Sequence, residues 1–123
     1  QRVNSRTTFG RLISKHQSVR EEISKSFSEI EMARLLVLKT SHKIDTQGVQ
    51  ESIDMIAATK TTIPLLVQTV IDRCMQMHGA GGLTEDYMMA EGFNYARWCR
   101  QADGPDQVHQ MALGKQVINR YSK

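Results

Sequence analysis

The sequence predicts an all-α fold, an antiparallel helical bundle with two long and two shorter helices. Three observations carry this prediction. Apolar residues recur at three- and four-residue steps along most of the 123-residue chain. The interruptions coincide with segments rich in Gly, Pro and Asp. No run alternates apolar and polar residues as a half-exposed strand would.

The first helix is expected from about Phe9 to about Ile44. Ile23, Phe27, Ile30, Val37 and Ile44, with Ala33 filling the stripe, form one face. Residues 30–39 (IEMARLLVLK) are apolar on more than one face, so burial on two sides is expected. The polar run Asp45-Thr46-Gln47-Gly48 ends the helix. The second is more regular: Val49, Ile53, Ile56, Lys60, Ile63, Val67, Val70, Cys74 and Met77 step by four and three throughout. Pro64 removes one backbone donor within it, and Gly79-Ala80-Gly81-Gly82 stops it. A third helix fits Thr84 to about Arg100, with Thr84 as N-cap and Glu85 and Asp86 in the first turn. Gly104-Pro105-Asp106 breaks the chain again, and Pro105 suits the opening of a fourth helix to about Tyr121. Two helices of about thirty residues in so short a chain carry more apolar surface than they cover, so self-association or a missing helix is expected.

Composition narrows the function. Sixteen Lys+Arg against thirteen Asp+Glu leave +3, and both signs are mixed along the chain. Basic residues such as Lys39, Lys60 and Arg73 occur singly, which argues against a nucleic-acid stripe. The longest stretches without a charged residue, 61–71 and 74–84, are too short to span a membrane. Cys74 and Cys99 stand apart with no Cys-x-x-Cys, so reduced thiols in a protein that is not secreted are expected. His16, His42, His78 and His109 are scattered, no pair at helical ligand spacing, so no metal site is predicted. The opening Gln1-Arg2-Val3 reads as a piece of a longer protein.

Three short segments go beyond the bundle. Arg6-Thr7-Thr8-Phe9-Gly10, followed by His16-Gln17, reads either as a capped helix start with Phe9 packed beneath it or as a guanidinium and two hydroxyls able to hold a pyrophosphate. Gln76-Met77-His78-Gly79-Ala80-Gly81-Gly82 is a helix stop, yet one Gly suffices for that, and three suit a loop that approaches a ligand closely. Residues 102–109 (ADGPDQVH) read by themselves as a turn.

In this order and spacing, RTTFG with His16-Gln17, IEMAR (30–34), QMHGAGG (76–82) and Asp103-Gly104-Pro105 resemble the C-terminal helical domain of the acyl-CoA dehydrogenase family. The resemblance covers nearly the whole chain. It implies an FAD cofactor and α,β-dehydrogenation of an acyl-CoA to the trans-2-enoyl thioester. It implies that Arg6, Thr8, Phe9 and Gln17 contact the diphosphate and adenosine part of FAD held mainly by a neighbouring subunit. Gln76, Gly79, Gly81 and Gly82 would line the same cofactor. Asp103 falls where most members carry the catalytic glutamate, and Pro105 where a Thr usually helps hold the flavin; Asn94-Tyr95-Ala96 replaces the common Arg-Asp-Ala. Aspartate in this setting is similar to the divergent branch whose animal members are fused to a kinase-like domain. Asp106, the rival carboxylate, is explained by capping the last helix. The resemblance further implies a homo-oligomer (dimer or tetramer) built through this domain, an electron-transfer flavoprotein as redox partner, and a mitochondrial or peroxisomal location in a eukaryote or a cytoplasmic one in a bacterium. A non-catalytic helical assembly module is the alternative.

Overall fold

The computed structural model describes residues 1–122. A one-turn helix α1 (Arg2–Ser5) leads into a two-residue-stranded hairpin, β1 (Thr7–Thr8) and β2 (Arg11–Leu12). Four longer helices follow: α2 (Gln17–Gln47), α3 (Ile53–His78), α4 (Met89–Cys99) and α5 (Asp106–Tyr121). Short 3₁₀ turns occupy Ile13–Lys15, Gln50–Ser52, Gly79–Leu83 and Glu85–Tyr87. The all-α bundle is therefore as expected, with α3 at its centre packed against α2, α4 and α5. Pro64 lies inside an uninterrupted α3.

Two expected helix starts move. The first long helix begins at Gln17, not at Phe9. Thr8 does not cap it; Thr8 pairs with Arg11 across a turn in which Phe9 (φ 51°) and Gly10 (φ 77°) both have positive φ. That combination matches the twist of a tight two-residue hairpin. It throws the Phe9 ring outward, 97% exposed, rather than beneath a helix. The third helix begins at Met89, not Thr84. Met88 at φ 55° separates a 3₁₀ turn from the helix proper, and the Thr84 hydroxyl donates to the Gly81 carbonyl (2.9 Å) and Asp86 carboxylate (3.0 Å) instead of capping. Asp106 likewise makes no cap bond at the start of α5.

Polar links between the helices are specific. The buried Thr40 hydroxyl donates to the Leu36 carbonyl (2.8 Å) and lies 2.7 Å from the Thr59 hydroxyl, joining α2 to α3. Asp54, also buried, accepts from Lys43 Nζ (2.8 Å) and from Arg120, tying α2, α3 and α5 together. Those two cations hold its carboxyl well below the usual carboxylate range, the Lys43 hydrogen bond being the largest cause. The Lys60 ammonium donates to the Cys99 carbonyl at the end of α4, where a cation complements the helix dipole. Small residues let α3 and α4 approach: a Cβ on Gly92 would meet Ile71 at 3.3 Å.

The apolar interior is small. Ala57 and Ala96 are the buried hydrophobic residues among those described. Phe27 (68%) and Leu35 (65%) on α2 and Met111 (73%) and Ile118 (65%) on α5 stand open. The two-sided burial expected for residues 30–39 is not supplied within this single chain.

A cationic concavity and a separate carboxylate turn

The hairpin folds back over the C-terminal end of α3. The Ile13 amide donates to the Arg6 carbonyl at 2.9 Å, which fixes the hairpin stem. His16 Nε2 lies 3.3 Å from the Thr8 carbonyl oxygen and 3.4 Å from the Thr8 hydroxyl. Its ring meets Phe9 edge-on at 6.3 Å. These contacts bring Arg2, Arg6 and Thr8 to one concavity with Gln76, Gly79, Ala80 and Gly81. That wall holds two guanidinium groups and no Asp or Glu. Arg2 Nε is buried there with no hydrogen-bond partner among the described residues, a donor left for a ligand acceptor. Gly79 has φ 62° and open space around its missing Cβ. The residues fit a pyrophosphate: charge-assisted donors, a side-chain amide and accessible backbone.

An adjoining groove shares Thr8, Gln76 and Met77 and adds Phe9, His16 and Arg73. Arg73 is held by acids from α2. Its Nε lies 3.0 Å from Glu22 and its Nη2 3.0 Å from Glu29. The hydrogen bond to Glu29 raises the arginine's pKa, and the same bond lowers that of Glu29; Glu22 is lowered first by Lys25 and then by Arg73.

Six of the residues singled out from the sequence thus come together: Arg6, Thr8, Phe9, Gln76, Gly79 and Gly81. Four do not. Gln17 lines neither concavity, and its amide donates to Glu21 at 2.8 Å on the open surface. Gly82 is a packing residue, since a Cβ there would lie 2.7 Å from the Met75 carbonyl oxygen. Asp103 and Pro105 sit in the connection between α4 and α5. Arg2, His16 and Arg73 were missed. The His16-Gln17 pair was a usable signal for His16, whereas Arg73 depends on acids more than forty residues away.

The Asp103 turn is built differently. Asp103 (φ 55°) and Gly104 (φ 106°) both have positive φ. Arg100 closes the turn, its Nε 2.7 Å from Asp106 Oδ2 and its carbonyl accepting the Asp106 amide at 3.2 Å. Arg100 also donates to Gln68 Oε1 at 3.2 Å, which ties the turn to α3. Gln68 and Gln76 are eight residues apart, about 12 Å along the helix. The Asp103 carboxylate is exposed and has no hydrogen-bond or ion-pair partner among the described residues.

An acid-free wall with two guanidinium groups at one end of α3, and a free carboxylate in the connection between α4 and α5, are the two candidate stations of this helical domain. The family model described as "Acyl-CoA dehydrogenase, C-terminal domain" matches residues 1–118. Acyl-CoA dehydrogenase family member 10 of Mus musculus is 43% identical over 99% of this chain, which spans 11% of that protein. A solved structure from Mycobacterium abscessus, assigned as an acyl-CoA dehydrogenase, superposes with a TM-score of 0.95 at 35% identity, covering 98% of this chain and 30% of that one. The electron transferring flavoprotein of Acidaminococcus fermentans superposes with a TM-score of 0.85 at 25% identity, covering 94% of this chain and 30% of that one. The chain belongs to the acyl-CoA dehydrogenase family, as its C-terminal domain.

Proposed function

We propose that this domain works within a flavin-dependent acyl-CoA dehydrogenase that converts an acyl-CoA to the trans-2-enoyl thioester. The observation that carries the reading is the acid-free wall of Arg2, Arg6, Thr8, Gln76 and Gly79–Gly81, with its buried, unpartnered Arg2 nitrogen. Such a wall suits the pyrophosphate of FAD. The exposed Phe9 ring beside it offers a face for a planar base. The flavoprotein among the structural neighbours supports the same cofactor.

Asp103 is the base in this reading. A thioester α-proton is weakly acidic, so its removal needs a carboxylate held close to the α-carbon. The proton passes to the Asp103 carboxylate as the Cα–Cβ double bond forms. The chemistry that bound FAD would supply is a hydride acceptor for the β-carbon. Arg2, Arg6 and Gln76 would hold the cofactor's phosphates, with the Thr8 hydroxyl on the same wall. The open apolar faces of α2 and α5 favour a second contribution, an interface within a homo-oligomer.

The test uses two variants of the full-length protein. Asp103→Asn should keep its flavin and lose at least about a hundredfold in turnover. Arg6→Ala should lose flavin on dialysis, with affinity falling about 10- to 100-fold for a lost charge-assisted donor. An Arg6→Ala protein that stays yellow at full flavin stoichiometry overturns the cofactor assignment. Near-normal turnover of Asp103→Asn moves the base elsewhere.

A further inference from the structure

His109, one turn into α5, has no part in the reading above, yet its ring is built into the Asp103 turn. Its Nε2 lies 3.0 Å from the Asp103 main-chain oxygen. A carbonyl can only accept, so Nε2 is the protonated nitrogen and the imidazole donates. The same ring occupies the space beside Gly104, where an added Cβ would stand 3.1 Å from Nε2. His109 therefore packs against the turn and hydrogen-bonds to it at once.

The turn needs such a hold. Asp103 has φ 55°, a region that an L-residue with a Cβ adopts only when its surroundings impose it. A return to negative φ would swing the carboxylate to another side of the loop. The ion pair of Arg100 with Asp106 anchors the two ends of the segment but touches neither Asp103 nor Gly104. Pro105 brings no amide hydrogen to the turn. Among the described residues, the side chain that reaches the Asp103 main chain is that of His109.

We propose that His109 is a positioning residue for proton abstraction, holding Asp103 in its left-handed conformation through the bond from Nε2–H to the Asp103 carbonyl. The proposal rests on the reading of Asp103 as the base. It assigns His109 no contact with substrate and no proton transfer of its own. Its effect is geometric: the carboxylate stays where a bound acyl chain presents its α-carbon. Reaction rates are steep in that geometry, since a displacement of about 1 Å can cost about a hundredfold.

The experiment compares His109→Leu, His109→Gln and Asp103→Asn in the full-length, flavin-loaded protein. Four quantities are read: kcat, KM for the acyl-CoA, flavin content, and deuterium uptake at the α-carbon in heavy water without an electron acceptor. The uptake reports the base separately from hydride transfer. His109→Leu should lose about ten- to a hundredfold in kcat and in α-exchange, with KM within about twofold and flavin content unchanged. His109→Gln, which returns an N–H donor at a similar reach, should recover most of both. If the leucine variant does not accumulate as folded protein, His109→Phe keeps the ring volume without the donor and takes its place. Turnover and exchange within threefold of wild type in the donor-less variant, with Asp103→Asn inactive, overturn the positioning role and leave the base reading intact. A glutamine variant as damaged as the leucine one also overturns it. Undiminished α-exchange in Asp103→Asn removes the base reading itself, and the proposal with it.

Discussion

The two stations beside α3 are built in opposite ways. The concavity at its C-terminal end is made of groups left open: a partnerless Arg2 nitrogen, a projecting Phe9 ring and a glycine with nothing near it. The Asp103 turn is made mostly of groups already tied, with Arg100, Asp106 Oδ2, Gln68 and His109 each bonded into it; the Asp103 carboxylate is free, and Asp106 Oδ1 is buried without a partner among the described residues. The difference fits the two tasks proposed for them. Holding a multiply charged anion needs several donors, each of which can adjust by a few tenths of an ångström. Removing a proton needs one group at one place, and the surroundings must forbid every other place.

That contrast can be broken or sharpened by measurement. Exchange of Asp103 for Glu is the strongest probe. It lengthens the side chain in a turn held at Asp103 and Gly104 by positive φ and by the bond from His109. Turnover should fall at least about tenfold at unchanged flavin content, and full activity would show that the turn gives way after all.

The glycine loop offers an internal comparison of smaller size. Gly82→Ala forces a Cβ into the Met75 backbone and should destabilise by about 2 kcal/mol. Gly79→Ala meets no atom, so its cost comes from the backbone alone: φ 62°, ψ −145° is ground that essentially only glycine holds, at about 1–3 kcal/mol. A Gly82→Ala protein with the urea-unfolding midpoint of wild type would remove the packing role of that glycine.

Asp54, remote from both stations, gives an effect of similar size that depends on pH. Removing its charge by Asp54→Asn leaves the partly solvated Lys43 and Arg120 unpaired, at a cost of about 1–2 kcal/mol at neutral pH. Its folded-state pKa is depressed, so this contribution is complete above the unfolded aspartate value and fades as the pH drops below about 4. The stability gap between wild type and variant should therefore narrow from pH 5 to pH 3. A constant gap would assign it to packing rather than charge.

How much of this was legible in the sequence differs between the parts. The four-and-three stepping from Val49 to Met77 marked α3 and its C-terminal end, whereas the helix proper starts at Ile53 after a 3₁₀ turn over Gln50–Ser52, and Val49, Ile53 and Val67 of the stripe stay exposed. The Gly-Pro break placed the start of α5. The hairpin was invisible. Thr-Thr and Arg-Leu are too short to show alternation, and Phe at the first positive-φ position is an unfavourable turn residue. The late start of α4 was hidden for the same reason, since Met88 takes a left-handed conformation with no Gly or Asn to announce it. In the site, Arg6, Thr8 and Gln76 were recognisable by motif. The roles of Arg73 and His109 depend on where helices cross and how a turn folds back, and no local pattern encodes either.

The near-absence of buried apolar side chains has a consequence outside the chemistry. A chain whose interior retains little beyond Ala57 and Ala96 would gain folding free energy from any surface that covered α2 and α5. Each tenfold rise in the concentration of a separate partner that bound there would add about 1.4 kcal/mol to the folded state. Substitutions at Phe27, Leu35 or Met111 should accordingly act on cellular abundance through proteolysis of uncovered chains, lowering the amount of protein while every surviving molecule keeps its full rate.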